Sequence, residues 1–180
     1  MRLIVPALAA AAVLAAAPAA LAALKPGDAA PDFTAKAALA GKSFEFKLSD
    51  ALKKGPVVLY FFPAAFTSGC TKEAHDFAEA TPEFEKAGAT VIGVTAGNVD
   101  RVAEFSAVEC RNKFAVAADP GAKIAAQYKA VLALKPDWSD RTSYVIGRDG
   151  KIVTAYSNLN PDKHVETTLA AVKSLAAKKG

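Results

Sequence analysis

The sequence is short of the residues that most site chemistries require. Its 180 positions hold two cysteines, two histidines, one methionine and one tryptophan. Two cysteines allow one bond, which is no disulfide framework, and a chain of this length does not need a staple to fold. Cys70 and Cys110 are also too far apart in sequence to form a C-x-x-C dithiol. His75 and His164 do not complete a metal set with them. Cys70 and His75, five apart, fall on different faces of one helix, and His164 stands on a polar helix start, so both histidines are read as solvated. The formal net charge is only +4 and the Lys and Arg residues are evenly spread, which excludes a nucleic-acid partner. No internal repeat is visible, and low complexity is confined to an alanine-rich start.

Long apolar runs are confined there too. Met1-Arg2 supplies one positive charge, Leu3 to Leu24 is apolar, and Ala20-Leu21-Ala22 has the small-residue pattern of a cleavage site. The run is long enough to cross a bilayer. It is mostly alanine, however, carries Pro6 and Pro18, and lacks a cationic stop-transfer cluster. Residues 1–22 are therefore expected to be a cleaved signal peptide, with an uncleaved anchor as the alternative. No cysteine stands at the cut, which argues against a bacterial lipid anchor. The expected product is exported, to a bacterial periplasm, without stable membrane association after cleavage. Residues 23–180 then form a single domain with room for a full core.

The chain is organised around residues 57–84. Val57-Val58-Leu59-Tyr60-Phe61-Phe62 is a continuous β-branched and aromatic run, the pattern of a strand buried on both faces. Pro63 is expected to end it. From Cys70 the period changes: Cys70, Ala74, Phe77, Thr81 and Phe84 share one helical face. A thiol at a helix N-terminus meets unpaired N–H groups and the positive end of the macrodipole, both of which favour thiolate. The same phase turns Cys70 inward, to the floor of a pocket. Thr81-Pro82-Glu83 predicts a kink or restart with Thr81 as cap, and Gly88 ends the helix.

Before this stretch, residues 25–33 are a Pro/Gly/Asp-rich lead-in, residues 43–48 alternate as a half-exposed strand, and residues 53–56 are a turn. After it, Thr90 to Thr95 is a second buried strand that completes a parallel strand–helix–strand unit. A helix is predicted over 99–112, with Val102, Phe105 and Val108 inward and Cys110 near its end, off that face. A short strand at 114–117 and a helical stretch at 122–128 follow. Residues 135–140 form a loop in which Trp138 is a packed lid. Residues 141–146 and 151–156 flank Gly147-Arg148-Asp149-Gly150 as a hairpin. Asn160-Pro161 starts a last helix with Val165, Leu169 and Val172 as its apolar stripe. The order is that of an α/β, thioredoxin-like fold, a mixed central β-sheet flanked by helices on both faces.

Pro63-x-x-x-Thr67-x-x-Cys70 resembles the active-site signature of the peroxiredoxins, thiol peroxidases on a thioredoxin fold. Gly27-Asp28-x-Ala30-Pro31-Asp32-Phe33 is similar to that family's lead-in. Phe66-Thr67-x-Gly69-Cys70-Thr71-x-Glu73 is similar to its peroxiredoxin Q, or bacterioferritin-comigratory, branch. Arg141 falls where the family has an arginine entering a strand. The resemblance covers nearly all of residues 23–180. It implies reduction of hydrogen peroxide and small organic hydroperoxides, with no cofactor, by a monomer recycled by a thioredoxin-like or other dithiol reductant.

It also implies roles. Cys70 is the nucleophile and becomes a sulfenic acid. Thr67 hydrogen-bonds sulfur and peroxide, Arg141 supplies fixed positive charge, Pro63 shapes and shields the pocket, and Glu73 orients Arg141. Many members of the branch carry a resolving cysteine five positions after the first, where this chain has His75. Others carry it in the following helix, which Cys110 fits. A one-cysteine peroxidase resolved by an external thiol, and a thiol–disulfide carrier on the same fold, stand as alternatives. The missing C-x-x-C argues against the carrier, and a copper-handling module has no ligand spacing to support it.

Overall fold

The computed structural model describes residues 23–178, and the signal peptide expected over residues 1–22 lies outside the described residues. The described chain forms β1 (Thr34–Leu39), β2 (Lys42–Lys47), α1 (Leu48–Lys54), β3 (Val57–Ala64), α2 (Ser68–Lys86), β4 (Thr90–Gly97), α3 (Val102–Val108), β5 (Ala115–Ala118), α4 (Lys123–Gln127), β6 (Thr142–Ile146), β7 (Ile152–Ser157) and α5 (His164–Ala177). Short 3-10 turns at Val99–Arg101 and Pro161–Lys163 precede α3 and α5.

The strands make one sheet in the order β2-β1-β5-β4-β3-β6-β7. The β3, β4 and β5 strands pair in parallel and the remaining neighbours are antiparallel, so the sheet is mixed. Alternation along β3 divides its side chains between two cores. Val57, Leu59 and Phe61 face one core with Leu48 of α1 and Ile124 of α4. Val58, Tyr60 and Phe62 face the other with Phe77 of α2, Phe105 of α3 and Val172 of α5. Both cysteines belong to the second core. The expected thioredoxin-like layering is the observed one.

Several local expectations need correction. Pro63 does not end β3, which runs to Ala64. Beyond Phe61 the neighbouring β6 has already stopped, so no ladder partner there needs the N–H that proline lacks. The helix does not break at Pro82, and Thr81 caps nothing: α2 is continuous, and the Thr81 hydroxyl donates to the Phe77 carbonyl at 2.8 Å. An interior proline costs about 3 kcal/mol, and burying a phenylalanine contributes about 1.5–3 kcal/mol. Phe77 and Phe84, both fully buried, are enough to offset it. The helix predicted over 99–112 shrinks to a 3-10 turn and α3, Val108 is exposed, and Cys110 follows the helix end. On α5, Val165 and Leu169 are only partly buried, and His164, Thr168 and Val172 form the inward face.

Candidate active site

The loop Pro63 to Thr67 joins the sheet to α2 and is held from several sides. The Ser139 hydroxyl donates to the Phe62 carbonyl at 2.7 Å, the Asn98 amide to the Ala65 carbonyl at 2.7 Å, and the Thr95 hydroxyl to the Pro63 carbonyl at 3.3 Å. A Cβ on Gly97 would lie 2.6 Å from the Pro63 oxygen and 3.0 Å from Trp138, so the close approach of β4 and of this half-buried indole requires glycine. Phe66 takes the left-handed backbone region at φ 64°, uncommon without glycine. Its ring is fixed edge-on by Phe105 at 5.2 Å and covered by the Arg101 guanidinium at 3.8 Å.

This loop delivers Cys70 to the first turn of α2. The helix starts at Ser68, two residues earlier than expected, which makes Cys70 its third residue. The inward phase holds: Cys70, Ala74, Phe77, Thr81 and Phe84 are all buried. Thr67 is the N-cap by position, but its hydroxyl donates to the Ala64 carbonyl at 3.1 Å rather than capping the helix or reaching sulfur. The same oxygen retains lone pairs that can accept.

Arg141, which precedes β6, is only 5 % exposed. Its Nη2 donates to Cys70 Sγ at 3.5 Å, its Nη1 to Glu73 Oε2, and its Nε to the Leu159 carbonyl at 2.8 Å. Glu73 of α2 and the Leu159 carbonyl after β7 therefore fix the guanidinium against the sulfur. Gly69 leaves the room: a Cβ there would lie 3.1 Å from Nη2. Arg141 also lines a cleft of about 460 Å³ with apolar walls from Val131, Leu132, Pro136 and Leu159.

Behind the guanidinium lies a polar group that the sequence reading missed. His164, expected in solvent, is fully buried. Its Nε2 is 2.8 Å from the Asn158 carbonyl, its Nδ1 2.8 Å from the Ser143 hydroxyl, and Nδ1 lies 3.6 Å from Glu73 Oε1. Burial, the larger effect, and the Arg141 charge together push His164 down to about 4. Burial pushes Glu73 up to about 8 against the opposing pull of Arg141. One signal was available in the sequence: His164 stands three and four residues before Thr167 and Thr168 and continues the stripe that ends at Val172.

Cys110 is placed differently. Its thiol is free, like that of Cys70, and fully buried. Burial and the neighbouring Glu109 push it well above the usual thiol range. The segment around it is tied to α2 by His75–Glu109 at 2.7 Å and Arg111–Glu79 at 3.0 Å, and Arg111 and Asn112 both take positive φ. His75 is thus partly exposed and hydrogen-bonded to Glu109. Among the described residues there is no group of three or more metal-ligating side chains.

Known proteins are similar to this chain in sequence and in fold. The profile of the AhpC/TSA family matches residues 26–155. The chain is 35 % identical over 150 residues to a chloroplastic peroxiredoxin Q of Populus jackii, covering 83 % of this chain and 68 % of the relative. It is 34 % identical over 124 residues to the peroxiredoxin Q of Sedum lineare, covering 68 % and 66 %. The crystal structure of the peroxidoxin BcpB from Mycobacterium tuberculosis superimposes with a TM-score of 0.76 at 32 % identity, over 84 % of this chain and 98 % of that one. A reduced 2-Cys peroxiredoxin from Plasmodium vivax, at 20 % identity and a TM-score of 0.77, shares the fold. The chain therefore belongs to the AhpC/TSA family, in its peroxiredoxin Q branch, and is a thiol peroxidase of the oxidoreductase class.

Proposed function

We propose that Cys70 reduces hydrogen peroxide and small organic hydroperoxides, and that Cys110 resolves the product. The thiolate sulfur attacks the near oxygen of the peroxide, the O–O bond breaks, and the far oxygen leaves with the electron pair as hydroxide or alkoxide and takes a proton. Cys70 is left as a sulfenic acid. Arg141 solvates the sulfur and stabilises the charge that spreads along the breaking bond. Thr67 accepts from the peroxide's O–H, and Pro63 closes the pocket to water.

The Cys110 thiol then attacks the sulfenic sulfur, water leaves, and a disulfide forms. An external dithiol of the thioredoxin-like type returns both cysteines to thiols. With Cys70 and Cys110 at 1 % and 0 % exposure, neither sulfur is open to a protein reductant until the Cys110 segment opens. The apolar leader supports export to a periplasm, and the family branch supports a monomer.

The observation that carries this reading is the buried Arg141 guanidinium 3.5 Å from Cys70 Sγ at the start of α2. The complete burial of Cys110 favours a second reading, a one-cysteine peroxidase resolved by an outside thiol. Stoichiometric peroxide and mass spectrometry test both. Wild type consumes one equivalent and yields an intramolecular Cys70–Cys110 disulfide. Cys70→Ser consumes none, and Cys110→Ser consumes one to reach the sulfenic acid and, when peroxide is then supplied in excess, a second as over-oxidised Cys70 accumulates. A wild-type product that stays a lone sulfenic or sulfinic acid selects the one-cysteine reading. A Cys70→Ser variant as fast as wild type removes the mechanism altogether.

A further inference from the structure

We infer that Glu73 and His164 hold one proton between Oε1 and Nδ1 while Cys70 is ionised, which leaves the charge of Arg141 to the sulfur. The role assigned to the sulfur rests on the peroxidase reading above. The proton itself is argued from geometry.

The Asn158 carbonyl can only accept, so His164 Nε2, 2.8 Å away, carries the ring's hydrogen. In the neutral ring Nδ1 is then a lone pair, into which the Ser143 hydroxyl donates at 2.8 Å. Glu73 uses Oε2 on Arg141, and its Oε1 has no hydrogen-bond partner among the described residues although the residue is fully buried. An ionised Glu73 would thus aim an unpaired acceptor at a second acceptor 3.6 Å away. A buried polar atom left in that state is costly. A proton on Oε1 makes Glu73 a donor: it takes the single Nδ1 lone pair in place of the Ser143 hydroxyl, which turns away, and a small closure from 3.6 Å makes the bond.

The charges require the same proton. Glu73 is faced by Lys72 and Asp76 of its own helix, by Tyr60 of β3, by Arg141 before β6, and by His164 of α5, whose Nδ1 Ser143 also reaches. Lys72 is exposed and already paired to Asp76 at 2.7 Å and Asp162 at 3.2 Å. Arg141 is the one cation hydrogen-bonded within the cluster, against two potential anions, the Cys70 sulfur and the Glu73 carboxyl. Two buried anions on one cation leave an uncompensated charge. The raised Glu73 and the depressed His164 put the proton on the carboxyl, with the imidazole as its acceptor. His164 is therefore a positioning residue, acting on sulfur through Glu73 and Arg141.

Two readouts test this: the rate of the first peroxide step against pH, and the protonated-carboxyl C=O band in pH-difference infrared spectra, which needs no turnover. In wild type the rate falls on the alkaline side with a midpoint near 8, where Glu73 ionises and claims Arg141, and the infrared band disappears with the same midpoint. Glu73→Gln abolishes both the alkaline limb and the band. His164→Gln keeps an amide that reaches the Asn158 carbonyl but nothing at the Nδ1 position, and moves both midpoints down by about one pH unit, a tenfold change in proton affinity. His164→Asn restores a group at the Nδ1 position and brings them back toward the wild-type value.

The inference is overturned if no carboxyl band exists at neutral pH, if Glu73→Gln retains the limb, or if His164→Gln leaves both midpoints in place. Should His164→Gln not fold, the infrared comparison of wild type with Glu73→Gln decides alone. A wild type that shows the band but does not reduce peroxide upholds the shared proton and overturns the peroxidase reading.

Discussion

A guanidinium that must serve a sulfur, a carboxyl and a carbonyl at once tolerates little displacement, and Gly69 sets its closest approach. A Cβ at that position would stand 3.1 Å from Arg141 Nη2, tight enough to push the nitrogen by a few tenths of an ångström. Since a misplacement of about 1 Å can cost about 10²-fold in rate, Gly69→Ala is expected to slow Cys70 oxidation by peroxide about tenfold while leaving helix propensity improved. Stopped-flow fluorescence of Trp138, the only tryptophan in the sequence, measures it; an unchanged rate would show that Arg141 has slack. At this scale the sequence was informative where chemistry and spacing coincide. Cys70, Thr67, Pro63, Glu73 and Arg141 all stand around one loop and one helix start. His164 was not legible, because a polar residue at a helix start is ordinarily solvated. Only the tertiary packing of α5 on α2 and β6 encloses it with Ser143 and the Asn158 carbonyl.

Among the elements, the pairing of α2 with the segment after α3 decides whether the second thiol can act. His75–Glu109 and Arg111–Glu79 are polar side-chain ties across it, both at least partly exposed. Such pairs contribute about 0–1 kcal/mol each. Replacing both acids, Glu79→Gln with Glu109→Gln, is expected to ease opening and raise the rate of disulfide formation about twofold to fivefold, with less over-oxidised Cys70 at excess peroxide. Mass spectrometry on quenched samples gives both quantities, and an unchanged partition would mean the aromatic packing around Cys110, not the ion pairs, holds the segment. The elements the sequence hid share a cause. The β1 strand, TAKAAL, is too rich in alanine to look like a strand and exists because β2 and β5 pair with it. The α1 helix has seven residues, too few for a helical period to show. Pro82 misled because a local rule was outweighed by the packing of Phe77 and Phe84.

For the whole molecule, the two buried titratable groups beside the sulfur set opposite slopes of stability against pH. His164 is depressed from 6.5 to about 4, so the unfolded chain binds more protons in that window and stability is lost as pH falls through it. Glu73 is raised from 4.5 to about 8, so the folded chain holds a proton that the unfolded chain has already released. Its contribution is complete below 4.5 and is lost as pH rises through the folded value. Between 4.5 and 6.5 the two slopes oppose each other, and above 6.5 the Glu73 slope stands alone. The denaturant midpoint of the wild type is therefore expected to decline from pH 6.5 to pH 8 relative to that of Glu73→Gln, which has no proton to lose there. Parallel denaturation curves of the two proteins at the two pH values measure the difference directly. If the midpoints move together, Glu73 is already ionised at neutral pH and Arg141 alone accommodates its charge. A decline confined to the wild type means that the site holds its carboxyl neutral beside Arg141 at the expense of alkaline stability.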